Sequence, residues 1–403
     1  MTRKTCRCWT LIALATVMVA LALRGVVVAD APSKTEVERL IRELGDDDYQ
    51  VRREAADRLA SGGEAVRAAL ASVAAGVDPE TRFAARRLMT LIADSEFQQR
   101  LANFAADVDG RRGASLPGWE EFGELVGRDA AARELFVDMQ REEPQLLERV
   151  FDTSSANRQV DWEAQVGRML RARVVSHPGQ SVVPAGSSAT LLFLGALPDA
   201  KISDAGAARL RQLTQIPPLS ESLAAKNPNN AIRRLVCAWI VHCPNRSNII
   251  LQQRLDAMFQ HSLSECLPLA IEMLEPNPEY LSLLPQQQML AILAVGKFGS
   301  EENLAVLEPL LADQRDCVPR QPINGPGSDL VGVQIRDVAL AALLRLTGQE
   351  PVAYGFLHAR PHPQMLFDVS SLSLDEGRRA AALEQWRAWR AQHTPAAPRP
   401  ASS

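Results

Sequence analysis

The sequence predicts an all-α protein, an α-solenoid of stacked helix pairs with an irregular helical middle region. Three observations lead there. Hydrophobic residues make up 46% of the 403-residue chain but aromatics only 5%, and much of the apolar content is Ala and Leu, which favour helix where β-branched and aromatic residues favour strand. Apolar residues recur at i, i+3, i+4, i+7 along most of the chain. One short pattern also returns after 30 residues, and a helix-turn-helix unit at that period is the signature of a solenoid. A large all-β sandwich or barrel is excluded by the same composition.

The first element is an address. Arg3, Lys4 and Arg7 precede an uninterrupted hydrophobic run, Leu11 to Leu23, and Val27-Val28-Ala29 offers small or medium residues at a processing point. Residues 1–29 therefore read as a secretory signal cleaved after Ala29. The other small-residue option, after Ala31, would put Pro32 behind the scissile bond. An uncleaved anchor over residues 9–28 is the alternative. The apolar run Trp9 to Leu23 is shorter than the roughly 20 residues a spanning helix needs, and Arg24 and Gly25 interrupt its extension. The full chain carries 44 basic and 48 acidic residues. Loss of Arg3, Lys4, Arg7 and Arg24 with the leader moves the net charge from −4 to −8. An acidic balance excludes a phosphate-neutralising nucleic-acid binder. Cys237, Cys243, Cys266 and Cys317 remain after the leader, too few for a disulfide framework, and they read as small buried apolar residues.

Helices follow in order. Val37, Leu40, Ile41 and Leu44 form one apolar stripe, which Gly45 and Asp46-Asp47-Asp48 end. Val51, Ala55 and Leu59 continue on a second helix, up to Ser61-Gly62-Gly63. Val66, Ala69, Leu70 and Val73 mark a third, and Ala85, Leu88, Met89 and Ile92 a fourth. Asp48-Tyr-Gln-Val51-Arg52-x-x-Ala55 aligns with Asp78-Pro-Glu-Thr81-Arg82-x-x-Ala85, with each Asp placed as an N-cap.

The pattern Asp-x-x-Val-Arg-x-x-Ala-x-x-x-Leu resembles the HEAT-like repeats of many bacterial proteins. A later segment is similar. Ala291 to Asp313 looks like the second helix of one repeat, a Gly296-x-x-Gly299 turn and the first helix of the next. Ile335-Arg336-x-x-Ala339-x-x-x-Leu343 looks like the helix to follow, and Asn229-x-x-Ile232-Arg233-x-x-Val236 resembles it again. Its apolar face, Ile335, Val338, Ala339, Ala342, Leu343 and Leu346, is expected against Leu304, Leu307 and Leu311. A proline- and glycine-rich loop from Gln314 to Leu330 interrupts this last repeat.

Residues 94–225 carry helical patterns without the motif. Trp119 to Val126, Ala130 to Gln140, Val160 to Arg173 and Ala205 to Leu213 are the expected helices, separated by prolines. Asp375 to Gln392 reads as a final helix with a Ser373-x-x-Glu376 capping box, and Leu383, Trp386 and Trp389 as a cap on the open end of the array. Residues 394–403 read as a disordered tail.

Constellations that could carry chemistry fail on spacing. Cys237, His242, Cys243, His261 and Cys266 suit zinc by type, but helices over 230–242 and 249–261 put the two histidines at opposite ends, about 19 Å apart at 1.5 Å per residue. His358 and His362 have the chelating i, i+4 spacing, yet Pro361 and Pro363 argue against the helix it needs. Asp107-Val-Asp109-Gly110 resembles part of a calcium loop, but the positions that require a first and a last carboxylate hold Ala105 and Leu116. Asp46-Asp47-Asp48 reads as a repeat turn. Arg52, Arg82, Arg233 and Arg336 fall at matching repeat positions and could form an anion-binding ladder. The resemblance implies instead that each pairs with an acidic turn of a neighbouring repeat. No nucleophile elbow, phosphate loop or dinucleotide fingerprint is present, and Ser187-Ser188 makes no triad with scattered histidines.

The expected organisation is a signal over 1–29, repeats over 32–93, an irregular helical region over 94–225, repeats over 226–350, a loop and capping helix over 351–393, and a tail over 394–403. The expected function is that of an exported, periplasmic or cell-envelope scaffold for protein–protein interaction. It is not expected to be an enzyme, and no catalytic, cofactor or metal residue is assigned. Nucleic acid is not an expected partner, and a membrane is one only through an uncleaved leader. The alternative is an enzyme or enzyme subunit with its site in residues 94–225.

Overall fold

The computed structural model describes residues 32–76, 78–107, 109–152, 164–168, 184–225, 227–280, 282–322 and 330–393. The expected signal, the tail and most of the helix expected over 160–173 lie outside them. The described chain is all-α apart from one two-stranded hairpin. It divides into two compact units, the first ending at Asn103 and the second starting at Phe104.

In the first unit, α1 (Lys34–Glu43), α2 (Tyr49–Ser61) and α3 (Glu64–Ala74) follow the predicted stripes, and α4 (Pro79–Ala106) starts there and ends three residues past the boundary at Asn103. The caps are the ones the sequence offers. Ser33 accepts from the Glu36 N–H, Asp48 from Gln50 and Asp78 from Thr81, each satisfying a free donor of the first turn. Val37, Leu40, Leu44, Ala55, Leu59, Val66, Leu70, Ala85, Leu88 and Ile92 make one core. Helix α4 does not stop near Ile92, because nothing between Ala93 and Ala106 breaks a helix.

The second unit opens with α5 (Trp119–Val126), α6 (Ala130–Glu142) and α7 (Pro144–Asp152). The next helix, α8 (Ala185–Ala196), was not foreseen. Gly186 to Ala196 are all buried, so α8 has no polar face to give it a period. It packs on α6 so closely that a Cβ on Gly186 would lie 2.5 Å from the Asp138 carbonyl oxygen.

From α8 onward the chain runs as helix pairs: α8 with α9 (Asp204–Thr214), then, after the short α10 (Leu219–Ala224), α11 (Ala231–His242) with α12 (Asn248–Gln260), α13 (Leu267–Leu274) with α14 (Pro285–Phe298), and α15 (Leu304–Leu307) with α16 (Ile335–Leu346). First members pack on first members, α8 on α11, α11 on α13, α13 on α15. Second members do the same, α9 on α12, α12 on α14, α14 on α16. Gly296 lies inside α14, not in a turn as its spacing from Gly299 suggested. A Cβ there would fall 2.8 Å from that of Ala342, so the glycine permits the close approach of α14 and α16.

Helix α16 is buried on more than the predicted stripe. Leu340, Ala341 and Leu344 are enclosed too, while Leu346 and Leu311 are half-buried. The added cover comes from 3₁₀ turns at Pro351–Tyr354 and Val369–Leu372 and from a hairpin that replaces the predicted loop. Its strands, β1 (Asp316–Pro322) and β2 (Leu330–Gln334), pair antiparallel, with irregular register between Asp316 and Val318 and again between Val318 and Gln321. A two-stranded ribbon is all edge, and Pro319 falls in the irregular stretch where a missing N–H costs least.

The last helix, α17 (Glu376–Gln392), is capped by Asp375, which accepts from the Arg378 N–H. The Ser373 capping box does not form. Arg379 of α17 instead reaches Asp337 of α16 at 2.7 and 3.1 Å in a pair shielded from water.

Candidate functional site

The four repeat arginines start similar helices, and the apolar residue three positions on, Ala55, Ala85, Val236 or Ala339, is buried in each. Their partners differ. Arg52 donates to the carbonyls of Asp46 and Asp47 in its own turn, at 2.6 and 3.0 Å. Arg233 is buried and grips Glu265, in the 3₁₀ turn before α13, at 2.7 and 2.8 Å. Arg336 donates to Gln334 and to Glu376. Arg82 lies near Asp78. Arg233 and Arg336 thus have their charge answered by a carboxylate from another element.

Among the described residues no group of three or more His, Cys, Asp or Glu is placed to hold a metal ion. Cys237 and Cys266 meet thiol to thiol, and burial raises the Cys266 thiol well above its usual range. The Cys317 thiol, also buried, is pushed up to about 12. His242 ends α11 and His261 ends α12, and burial lowers both imidazoles. His358 and His362 lie in an irregular loop, where the His362 Nδ1 accepts from the Gln364 and Met365 N–H groups. Ser187 starts α8; its N–H donates to Glu142 at 2.6 Å and its hydroxyl to Glu143 at 2.9 Å. Desolvation raises the Glu142 carboxyl.

Two concavities stand out in the second unit. The first is a cavity of about 290 Å³ at the loop between Asp107 and Trp119. Asp107 organises the loop by accepting from the Arg112 and Ala114 N–H groups at 3.0 and 3.3 Å, and those bonds hold its carboxyl below the usual range. Gly110, Gly113 and Gly118 supply positive φ of 65°, 66° and 84°, which other residues adopt at a cost. Gln140 pins the far end by donating to the Pro117 carbonyl at 2.9 Å. Trp119 and Glu120 form one wall, with Arg128 bonded to Glu120 at 2.6 Å.

Arg133, from the first turn of α6, lines the same cavity. Its guanidinium carbon lies 4.2 Å from the Phe104 ring centroid and 4.9 Å from that of Trp119, and its Nη1 donates to the Phe104 carbonyl at 3.0 Å. The side chain is 6% exposed, and its Nε, closed off from solvent, has no hydrogen-bond partner.

The second concavity is an open groove of about 510 Å³ between the 3₁₀ turn Glu308–Ala312 and α17, lined by Leu311, Trp386 and Arg390. Arg390 bonds Glu308 at 2.6 Å across it. Trp386 stacks on Trp389, and Trp389 on His393.

The chain matches no known protein family, no curated protein and no solved structure.

The sequence reading passed over Arg133. A signal was there: Arg133 and Gln140 share a face with Phe136 and Val137, and a polar residue on an otherwise apolar stripe must find a partner or a purpose inside.

Proposed function

We propose that this chain is an exported helical-repeat scaffold of the HEAT-like type, which binds another protein and catalyses no reaction of its own. The observation that carries this reading is the double row in the second unit, where four successive helix pairs pack first member on first and second on second. Elements stacked in that way present long faces made of equivalent positions, and repeat proteins bind along such faces. The acidic balance of the chain and the Arg233–Glu265 and Arg336–Glu376 bridges fit the same reading, because those arginines are engaged in holding neighbours together.

Export is part of the proposal and rests on residues 1–29 of the sequence. No helix among the described residues is long and apolar enough to cross a membrane.

The test is affinity capture from the cell envelope with the full chain as bait, followed by reconstitution with the purified captured protein. A saturable complex whose hydrogen-exchange footprint follows one helix row, α8, α11, α13, α15 or α9, α12, α14, α16, supports the scaffold. A footprint confined to the Asp107–Arg133 region, with turnover of a small molecule there, overturns it in favour of an enzyme seated in residues 94–225.

A further inference from the structure

The Arg133 cavity has features that a scaffold does not require. A guanidinium cannot shed its charge near neutral pH, and a buried charge without a counter-ion costs several kcal/mol. Arg133 has no ion-pair partner among the described residues. Its direct contacts are one Nη1 bond and two aromatic rings, and the Asp107 carboxylate, already occupied by the Arg112 and Ala114 N–H groups, acts on it only electrostatically. Gly110 of the Asp107 loop passes beside the Nη2, where a Cβ would lie 3.5 Å from it, so the missing side chain leaves room next to that nitrogen.

We propose that this cavity binds a small organic carboxylate, held as a monoanion on the free edge of the Arg133 guanidinium. The Phe104 and Trp119 rings, 5.0 Å apart and at 79° to each other, form a corner against which the guanidinium rests, and an arginine fixed in this way is preorganised to bond a carboxylate. The charge around the cavity selects a monoanion. Arg128 is bonded to Glu120 and Arg111 lies 3.9 Å from Asp109, so these lining charges offset one another and Arg133 is left to answer a single negative charge, one fewer than a doubly charged phosphate carries. A volume of about 290 Å³ sits at the small end of ligand pockets.

Isothermal titration of the full chain with sodium acetate, glycine and inorganic phosphate, at constant ionic strength, tests this. Acetate and glycine should bind one to one, with dissociation constants on the order of millimolar for so few atoms, and phosphate should bind at least tenfold more weakly. Arg133→Lys keeps the charge but not the fork, and should weaken acetate binding about tenfold or more. Ser115→Tyr fills the exposed mouth without touching Arg133, so it should abolish binding while leaving the melting temperature unchanged. It keeps the test decisive if the Arg133 variant misfolds. Absence of heat with both acetate and glycine overturns the site. Equal or tighter phosphate binding overturns the carboxylate assignment, and binding that survives Ser115→Tyr places the ligand elsewhere.

Discussion

The fate of each arginine separates structural cations from exposed ones. Arg254 is fully buried, yet among the described residues it pairs with no carboxylate. Its guanidinium donates to the carbonyls of Ile240, Val241, Cys243 and Asn245 at 2.5–3.3 Å, where α11 ends. A helix leaves its last carbonyls unsatisfied and carries partial negative charge there, so this cation serves as an internal C-cap. Desolvation lowers it to about 10, still protonated near neutrality. Arg254→Ala should cost about 3–5 kcal/mol, since it orphans several buried acceptors at once. Arg52→Ala, at an exposed turn, should cost less than about 1 kcal/mol. Urea denaturation of the two variants checks the contrast. A carboxylate supplies a pH signature of opposite origin. The Arg234 guanidinium, bonded to Asp129 at 2.5 and 2.9 Å, holds that carboxyl down from 3.8 to about 2. A depressed acid adds stability above its unfolded value and loses it as the pH falls through its folded one. The parent should therefore lose more stability than Asp129→Asn between pH 4 and pH 2. The difference should stay under about 1 kcal/mol, because the carboxylate is 52% exposed and screened. Acid titration of the two melting temperatures measures it. None of these partnerships is visible in the sequence, because Arg254, Arg234 and Arg133 differ only in what the fold brings to them.

At the scale of elements, glycine in α8 reverses the usual rule. Gly to Ala in a helix interior normally stabilises by about 0.5–1 kcal/mol. At Gly186 the new methyl would strike the backbone of α6, so Gly186→Ala should destabilise by about 1–3 kcal/mol. Thermal melts that show a gain would mean α6 and α8 are not in contact there. Helix α16 gives a second case. Leu343→Ala removes a fully buried side chain and should cost about 2–5 kcal/mol. Arg336→Ala should cost less, its Glu376 partner being 74% exposed at 3.3 Å. Chemical denaturation ranks the two. Legibility followed from amphipathicity. Helices α1, α2, α3 and α5 were readable because one face is polar and breakers flank it, and the bounds of α5 match the expectation. Helix α8 was not, because burial on all sides erases the period. The hairpin was hidden by Pro319 and Pro322, which local rules assign to loops. The Arg133 cavity depends on Phe104, Trp119 and Arg133, 15 and 14 residues apart in sequence, and no local window joins them.

At the scale of the whole molecule, the division at Asn103/Phe104 predicts unfolding in more than one step. Each unit has its own buried set, Leu40, Leu59 and Leu70 in the first, Trp239, Phe193 and Leu343 in the second, and separate cores need not melt together. The tryptophans make this measurable. Apart from Trp9, all of them, Trp119, Trp162, Trp239, Trp386 and Trp389, come after Phe104. Indole fluorescence of a Trp9→Phe chain therefore reports the second unit alone, while helical circular dichroism reports both. With urea the two signals should trace different midpoints. Leu70→Ala, at a fully buried position of the first unit, should cost about 2–5 kcal/mol there. It should shift the dichroism curve and leave the fluorescence midpoint in place. Leu343→Ala should move the fluorescence midpoint. Superimposable curves for the parent, with both variants shifting both probes, would show one cooperative unit and remove the boundary at Asn103.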